Sequence, residues 1–209
     1  YFGGQFIRLS VGDTVVAFNP FSKKSKEKNI RFGSNIALIS VDHPDYNGVE
    51  NLEHGDKKPF VVRGPGEYEI GGIEVMGFAA AKTYGKDELR NTIYTLTLDG
   101  IRVCVLGALP TPELSSDTIE GIGDVDILFV PIAGDDLLSP ADAEKLSVML
   151  DAKLVIPIAT SGKGDKNLTT FLKEAGAERV DFVEKLTLKR KDLEGFAGEV
   201  AVLLPSDHA

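Results

Sequence analysis

The chain has no tryptophan, one cysteine, two methionines and three histidines in 209 residues. Each scarcity removes a class of function. A single thiol, Cys104, cannot close an intramolecular disulfide, which fits a reducing compartment and excludes a small disulfide-stapled fold. Cys104 lies in the alternating run Ile101-Arg102-Val103-Cys104-Val105-Leu106, where it reads as a small packing group, since a nucleophile needs an accessible thiolate and a nearby base. No apolar stretch approaches the roughly 18 residues of a membrane span, and no charged-then-apolar leader opens the sequence. The expectation is a cytoplasmic protein without a membrane partner. Cations are also in the minority, with 23 Lys and Arg against 32 Asp and Glu and a net charge of -9. That balance argues against a nucleic-acid partner, because phosphates are bound by clustered Lys and Arg. The one basic run, Lys23-Lys24-Ser25-Lys26-Glu27-Lys28, contains a glutamate, follows a proline turn and reads as a solvated loop.

What is present suits a compact α/β domain. At 43% hydrophobic and 26% charged, 209 residues can bury a substantial core, so one domain over residues 1–209 is expected. Residues 6–11 and 14–18 flank a Gly12-Asp13 turn, and 93–98 and 101–106 flank Asp99-Gly100, the strongest hairpin signal in the chain. Residues 36–40 form a continuous apolar run that suits a strand buried on both faces. Further strands are predicted at 60–63, 72–78, 127–131, 154–157, 186–189 and 199–204. A short helix is expected within 112–121. A second, over 139–150, has Ser139 as its cap, Pro140 in its first turn and Ala143, Leu146, Met149 and Leu150 on one apolar face. A third spans 168–175 and stops at Gly176. Two strand-rich halves, each covered by helices, predict a four-layer αββα sandwich.

The most informative segment is Ser40-Val41-Asp42-His43-Pro44-Asp45-Tyr46-Asn47. It resembles the metal-binding turn of the metallo-β-lactamase superfamily, Ser-His-x-His-x-Asp-His, with Val41 and Tyr46 where two imidazoles stand and with His43 and Asp45 retained. Tyr1-Phe2-Gly3-Gly4-Gln5-Phe6-Ile7 is similar to the opening strand of the lactonase-like, metal-dependent hydrolase branch, and Phe18-Asn19-Pro20-Phe21 to its Asp-Pro turn. Leu106-Gly107-Ala108-Leu109 resembles the family's Leu-Gly-Asp-Leu, and Ile156-Pro157-Ile158-Ala159 its Pro-Met-His. Residues 64–70 and 90–94 are similar to segments of one bacterial subgroup. The resemblance runs in order along nearly the whole chain and implies the αββα fold.

The same resemblance exposes a deficit. A two-zinc centre of that family takes about four or five imidazoles plus carboxylates, at roughly four ligands per zinc. The three histidines here are His43, His54 in a polar loop and the penultimate His208. Gly4, Asn19, Val41, Tyr46, Ala108 and Ala159 all depart from metal-linked or pocket positions. The expectation is a metallo-β-lactamase-fold protein without a metal centre or cofactor, non-catalytic, with a binding or scaffolding role toward an unidentified small molecule or protein, an oligomer being compatible with either. Its candidate binding residues are Asn19, Asp42, His43, Asp45, Tyr46, Asn47 and Glu67. The alternative is a hydrolase with a remodelled site. It would use either one metal, such as zinc, on His43 and Asp45, or metal-free acid-base chemistry by that pair, in which the carboxylate orients the imidazole.

Overall fold

The computed structural model describes residues 1–206. Strands β1 (Ile7–Val11) and β2 (Thr14–Phe18) form the expected hairpin, its turn made at Gly12 with φ of 54°. Parallel to β2 runs β3 (Ile36–Ile39), and β4 (Phe60–Arg63) runs parallel to β3, closing a four-stranded sheet of order β1-β2-β3-β4. All four residues of β3 are buried because apolar layers cover both its faces.

A larger sheet lies against the first. Strands β5 (Gly66–Ile70), β6 (Ile73–Tyr84), β7 (Leu89–Leu98) and β8 (Ile101–Val105) form an antiparallel meander, with Leu98 opposite Ile101 across the Asp99-Gly100 turn. Strands β9 (Ile127–Pro131) and β10 (Leu154–Ile158) continue it in parallel with β8. The helices α1 (Ser116–Ile122), α2 (Pro140–Met149) and α3 (Lys166–Glu174) alternate with these strands. Beyond them come β11 (Phe182–Val183), β12 (Glu199–Val200) and β13 (Val202–Leu203); β12 completes a sheet of order β12-β10-β9-β8-β7-β6-β5, while β11 and β13 pair as a ribbon. Among the described residues no helix is long and apolar enough to cross a membrane.

Three apolar layers hold the architecture. Between the sheets, Val16, Phe18, Ile36 and Leu38 meet Tyr94, Leu96, Val103, Phe129 and Ile156. On the far side of the large sheet, Cys104, Leu106, Leu128, Val130 and Val155 pack under the helices against Ile122, Leu146, Leu168 and Phe171. On the far side of the small sheet, Phe6, Ala17 and Ala37 meet Phe21, Ile30, Phe32 and Leu52. That outer cover is the segment of residues 19–34 and a 3₁₀ helix, Val49–Asn51, so α-helices cover the large sheet while loop covers the small one.

Several local expectations are corrected. β5 was not expected as a strand; its Tyr68 and Ile70 pack on the core while Glu67 and Glu69 face solvent, the two-residue period of a half-buried strand. Residues 186–189 are not a strand, although Leu186 and Leu188 still rest on the core. The run 199–204 divides at Ala201, so its two ends join different sheets. In α2, capped as expected by Ser139, Ala143, Leu146 and Leu150 are buried, but Met149 is 46% exposed and Val148 68%.

Candidate functional site

The turn at residues 40–47 leaves the carboxyl end of β3, and the segments after β8 and β10 carry Ala108 and Ala159. Carboxyl ends of parallel strands are where α/β sheets present their loops to ligands. Beneath the turn lies a buried polar framework. Asn19, fully buried at φ of 49°, accepts the Ser40 backbone N–H on its side-chain oxygen at 2.8 Å, while its own N–H reaches the Leu38 carbonyl. Asparagine is one of the few residues that tolerates this left-handed backbone. Asn91 donates to the Leu106 carbonyl and accepts the Ala108 N–H, both at 2.8 Å, which fixes the chain on either side of Gly107. Thr92 N–H to the Ser40 carbonyl, at 2.9 Å, ties β3 to β7, and the Tyr94 hydroxyl donates to the Ile39 carbonyl at 3.0 Å.

The turn's own polar groups are spent on one another. Asp42 accepts from the Asn47 amide at 2.7 Å. His43, one-third exposed, accepts the Asp45 backbone N–H on Nδ1 at 3.2 Å, an arrangement that leaves the ring proton on Nε2. One Asp45 carboxylate oxygen lies 3.7 Å from Nδ1, beyond hydrogen-bond reach, while the other accepts the Ser25 hydroxyl at 2.5 Å. The two side chains stand as a loose pair, without a direct hydrogen bond between them.

Where imidazoles and a carboxylate were expected by resemblance, the side chains have merged into apolar packing. Val41, Tyr46 and Ala108 form one buried cluster, covered by Tyr84 and Leu89 from the tip of the β6-β7 hairpin and by Leu137. The rings of His43, Tyr46 and Tyr84 meet edge to face, with centroids 5.6 to 6.2 Å apart. Burial first, and then the neighbouring Tyr84 phenol, push the Tyr46 hydroxyl far above its ordinary pKa. Ala159 stands at φ of 58°, its N–H held by the Gly4 carbonyl at 2.8 Å and the Tyr1 hydroxyl at 3.1 Å.

The remaining sequence candidates lie elsewhere. Glu67 is exposed on β5 opposite Met76, and the Tyr68 hydroxyl donates to the Gly64 carbonyl. His54 pairs through its backbone with Lys57 in an exposed loop. His208 lies outside the described residues. Cys104 is wholly buried beneath the helices, and burial, only partly offset by Arg102, pushes its thiol up to about 12, which makes it a packing group. Tyr84, Leu89, Leu137 and Ser25 were not foreseen, because each meets the turn only through tertiary folding. Beside the cluster opens a polar cleft of about 130 Å³ lined by His43, Tyr84, Lys86, Asp87, Leu89 and Asp136.

For a zinc ion, the side chains present do not supply a ligand set. Among the described residues no group of three or more His, Cys, Asp or Glu side chains converges. The buried polar atoms next to the turn that lack a protein partner are Asn19 Nδ2 and Ser40 Oγ, an amide donor and a neutral hydroxyl rather than zinc ligands.

Comparison with known proteins places this geometry. Residues 1–159 match the family model described as the β-lactamase superfamily domain. A UPF0173 metal-dependent hydrolase of Bacillus licheniformis is 23% identical over 189 residues, covering 76% of this chain and 82% of that protein. Among solved structures, a Thermotoga maritima protein of the metallo-β-lactamase superfamily, described as a candidate Zn-dependent hydrolase, superposes with a TM-score of 0.74 at 23% identity over 98% of this chain and 95% of its own. A candidate metal-dependent hydrolase of Parabacteroides distasonis gives a TM-score of 0.65 at 19% identity over 84% and 88%. Both structural likenesses are of fold.

Proposed function

Because this chain belongs to the β-lactamase superfamily domain family, we propose that it keeps the scaffold of a metal-dependent hydrolase but works as a non-catalytic binding or scaffolding protein. One observation carries the reading. Val41, Tyr46 and Ala108, at positions where the family resemblance calls for two imidazoles and a carboxylate, form a single buried apolar plug. An apolar plug gives no ligand to a cation, and a buried cation without ligands is costly. The pattern is self-consistent, since once the metal is gone any carboxylate left there would be an unpaired buried charge. The polar cleft beside His43 is the place for a small-molecule ligand.

The hydrolase reading draws on the names of the relatives. Against it, the His43 imidazole accepts the Asp45 backbone N–H and the Asp45 carboxylate accepts the Ser25 hydroxyl, with no direct hydrogen bond between the two side chains. Metal analysis of protein purified without chelators separates the two. The proposal expects no stoichiometric zinc, manganese or iron, and a melting temperature indifferent to added zinc and to chelator. A metal bound to the native state alone would add about 2.7 kcal/mol at a hundredfold excess over its Kd, an easily seen shift. Stoichiometric metal lost in a His43→Ala variant would overturn the proposal in favour of the mononuclear enzyme.

A further inference from the structure

Three segments that meet only in the folded chain converge on the cleft beside His43. The β6-β7 hairpin closes at its tip in a tight turn, the Glu88 N–H donating to the Gly85 carbonyl at 3.3 Å, with Lys86 and Asp87 at its corners. The loop after β9 makes a second such turn, the Leu137 N–H donating to the Gly134 carbonyl at 2.9 Å, with Asp136 beside Leu137. Both turns are moored to the buried plug, the first by Tyr84 and Leu89 and the second by Leu137. The plug thereby holds Lys86, Asp87 and Asp136 around one space of about 130 Å³, which His43, Tyr84 and Leu89 complete.

This wall carries charge of both signs that nothing in the chain neutralises. Among the described residues, Lys86, Asp87 and Asp136 form no ion pair with one another or with other side chains. His43 spends Nδ1 on the Asp45 backbone N–H, which leaves Nε2–H as its donor. Two carboxylates call for a cation, whereas an ammonium and an imidazole N–H call for an anionic acceptor. Lys86 disfavours a simple amine and the two carboxylates disfavour a simple acid, since like charges repel. The space equals about four water volumes at roughly 30 Å³ each, too little for a nucleotide or a peptide. An amine and a carboxylate must therefore sit on one short carbon frame. On the premise that this chain is a binding protein without a metal, we infer that the cleft takes the zwitterion of a small α-amino acid. Its carboxylate meets Lys86 and the His43 N–H, its ammonium meets Asp87 and Asp136, and its short side chain lies against Leu89 and Tyr84.

Backbone amide NMR spectra of the full chain in excess chelator, titrated with L-alanine, test the inference, with propionate and ethylamine as probes that each lack one charge. Alanine is expected to shift the amides of His43, of Tyr84 to Leu89 and of Asp136, with a Kd on the order of 1 mM, inside the ceiling for so few atoms. Each half-ligand should bind about tenfold more weakly, for want of one charge-assisted pairing. Lys86→Met, and Asp87→Asn combined with Asp136→Asn, should each weaken alanine about threefold or more; these positions are exposed and the same spectra report folding. Ethylamine or propionate that matches alanine overturns the zwitterion. Shifts confined to other residues, or alanine binding that both variants leave intact, overturn the site. Metal-free protein that binds no alanine overturns this inference alone, whereas alanine binding that appears only once metal is restored overturns the non-catalytic reading as well.

Discussion

The turn at residues 40–47 and the framework under it are built in opposite ways. In the framework, Asn19, Asn91 and Thr92 satisfy backbone groups at the ends of β3 and β8, groups that need partners whatever the site does. In the turn, Val41 and Tyr46, with Ala108 across from them, pack on each other, the hairpin tip, Leu137 and the His43 ring. The framework side chains complete the backbone, whereas the plug side chains contribute packing alone. The contrast implies that damage to the framework costs more than damage to the plug.

Gly107→Ala and Asn91→Leu share the largest expected effect. Gly107 has φ of 64°, and a Cβ there would stand 2.6 Å from Ser40 Oγ and closer still to Asn91 Oδ1. Strain and overpacking together predict a loss of about 2–5 kcal/mol, measured by urea unfolding. Asn91→Leu orphans the Leu106 carbonyl and the Ala108 N–H, at about 1–3 kcal/mol for each buried group. Next comes Val41→Ala, which trims the plug and costs about 1–2 kcal/mol for two buried methyl groups. If Val41→Ala proves as damaging as Asn91→Leu, the contrast fails.

Two weaker predictions sharpen the contrast with sites away from the turn. At the opposite end of the large sheet, partial burial opposes the charge of Asp126, but the Lys153 ammonium and the Arg102 backbone N–H outweigh it and hold the carboxyl below its usual range. A depressed carboxyl contributes stability above its unfolded pKa of about 3.9, and that contribution disappears as pH falls through the folded value. Asp126→Asn should therefore lower stability at neutral pH and make the loss on acidification below about pH 4 shallower, as followed by melting temperature against pH. Smallest of all, Glu67→Gln on exposed β5 should stay within about 0.5 kcal/mol of wild type. It should also leave ligand binding at the His43 cleft unchanged, which a thermal-shift screen reads for any ligand found.

Which parts were legible follows from which interactions are local. Gly12-Asp13 and Asp99-Gly100 mark their hairpins because turn conformation is decided by the turn residues themselves. Ser139 and Pro140 mark the start of α2 for the same reason. β5 was missed because glutamates on its solvent face hide a strand whose inner face is only Tyr68 and Ile70. Residues 186–189 misled because their leucines bury against the core without a neighbouring strand to complete a ladder. Met149 misled because helical spacing placed it at the margin of the apolar face, and α3 covers only part of α2.

From the sequence alone came the family resemblance, the order of the main strands and the shortage of imidazoles, since these depend on residue identity and on spacing along the chain. Only the tertiary structure decided what packs around the turn. Val41, Tyr84, Ala108 and Leu137 are far apart in sequence, and nothing local says that they share one buried space. Nor could the chain alone say that the Asp45 carboxylate, two residues from His43, bonds instead to Ser25, twenty residues away. A hydrogen bond goes to the partner whose distance and direction the packed loops allow, and here packing set Ser25 within reach while the imidazole presented an acceptor.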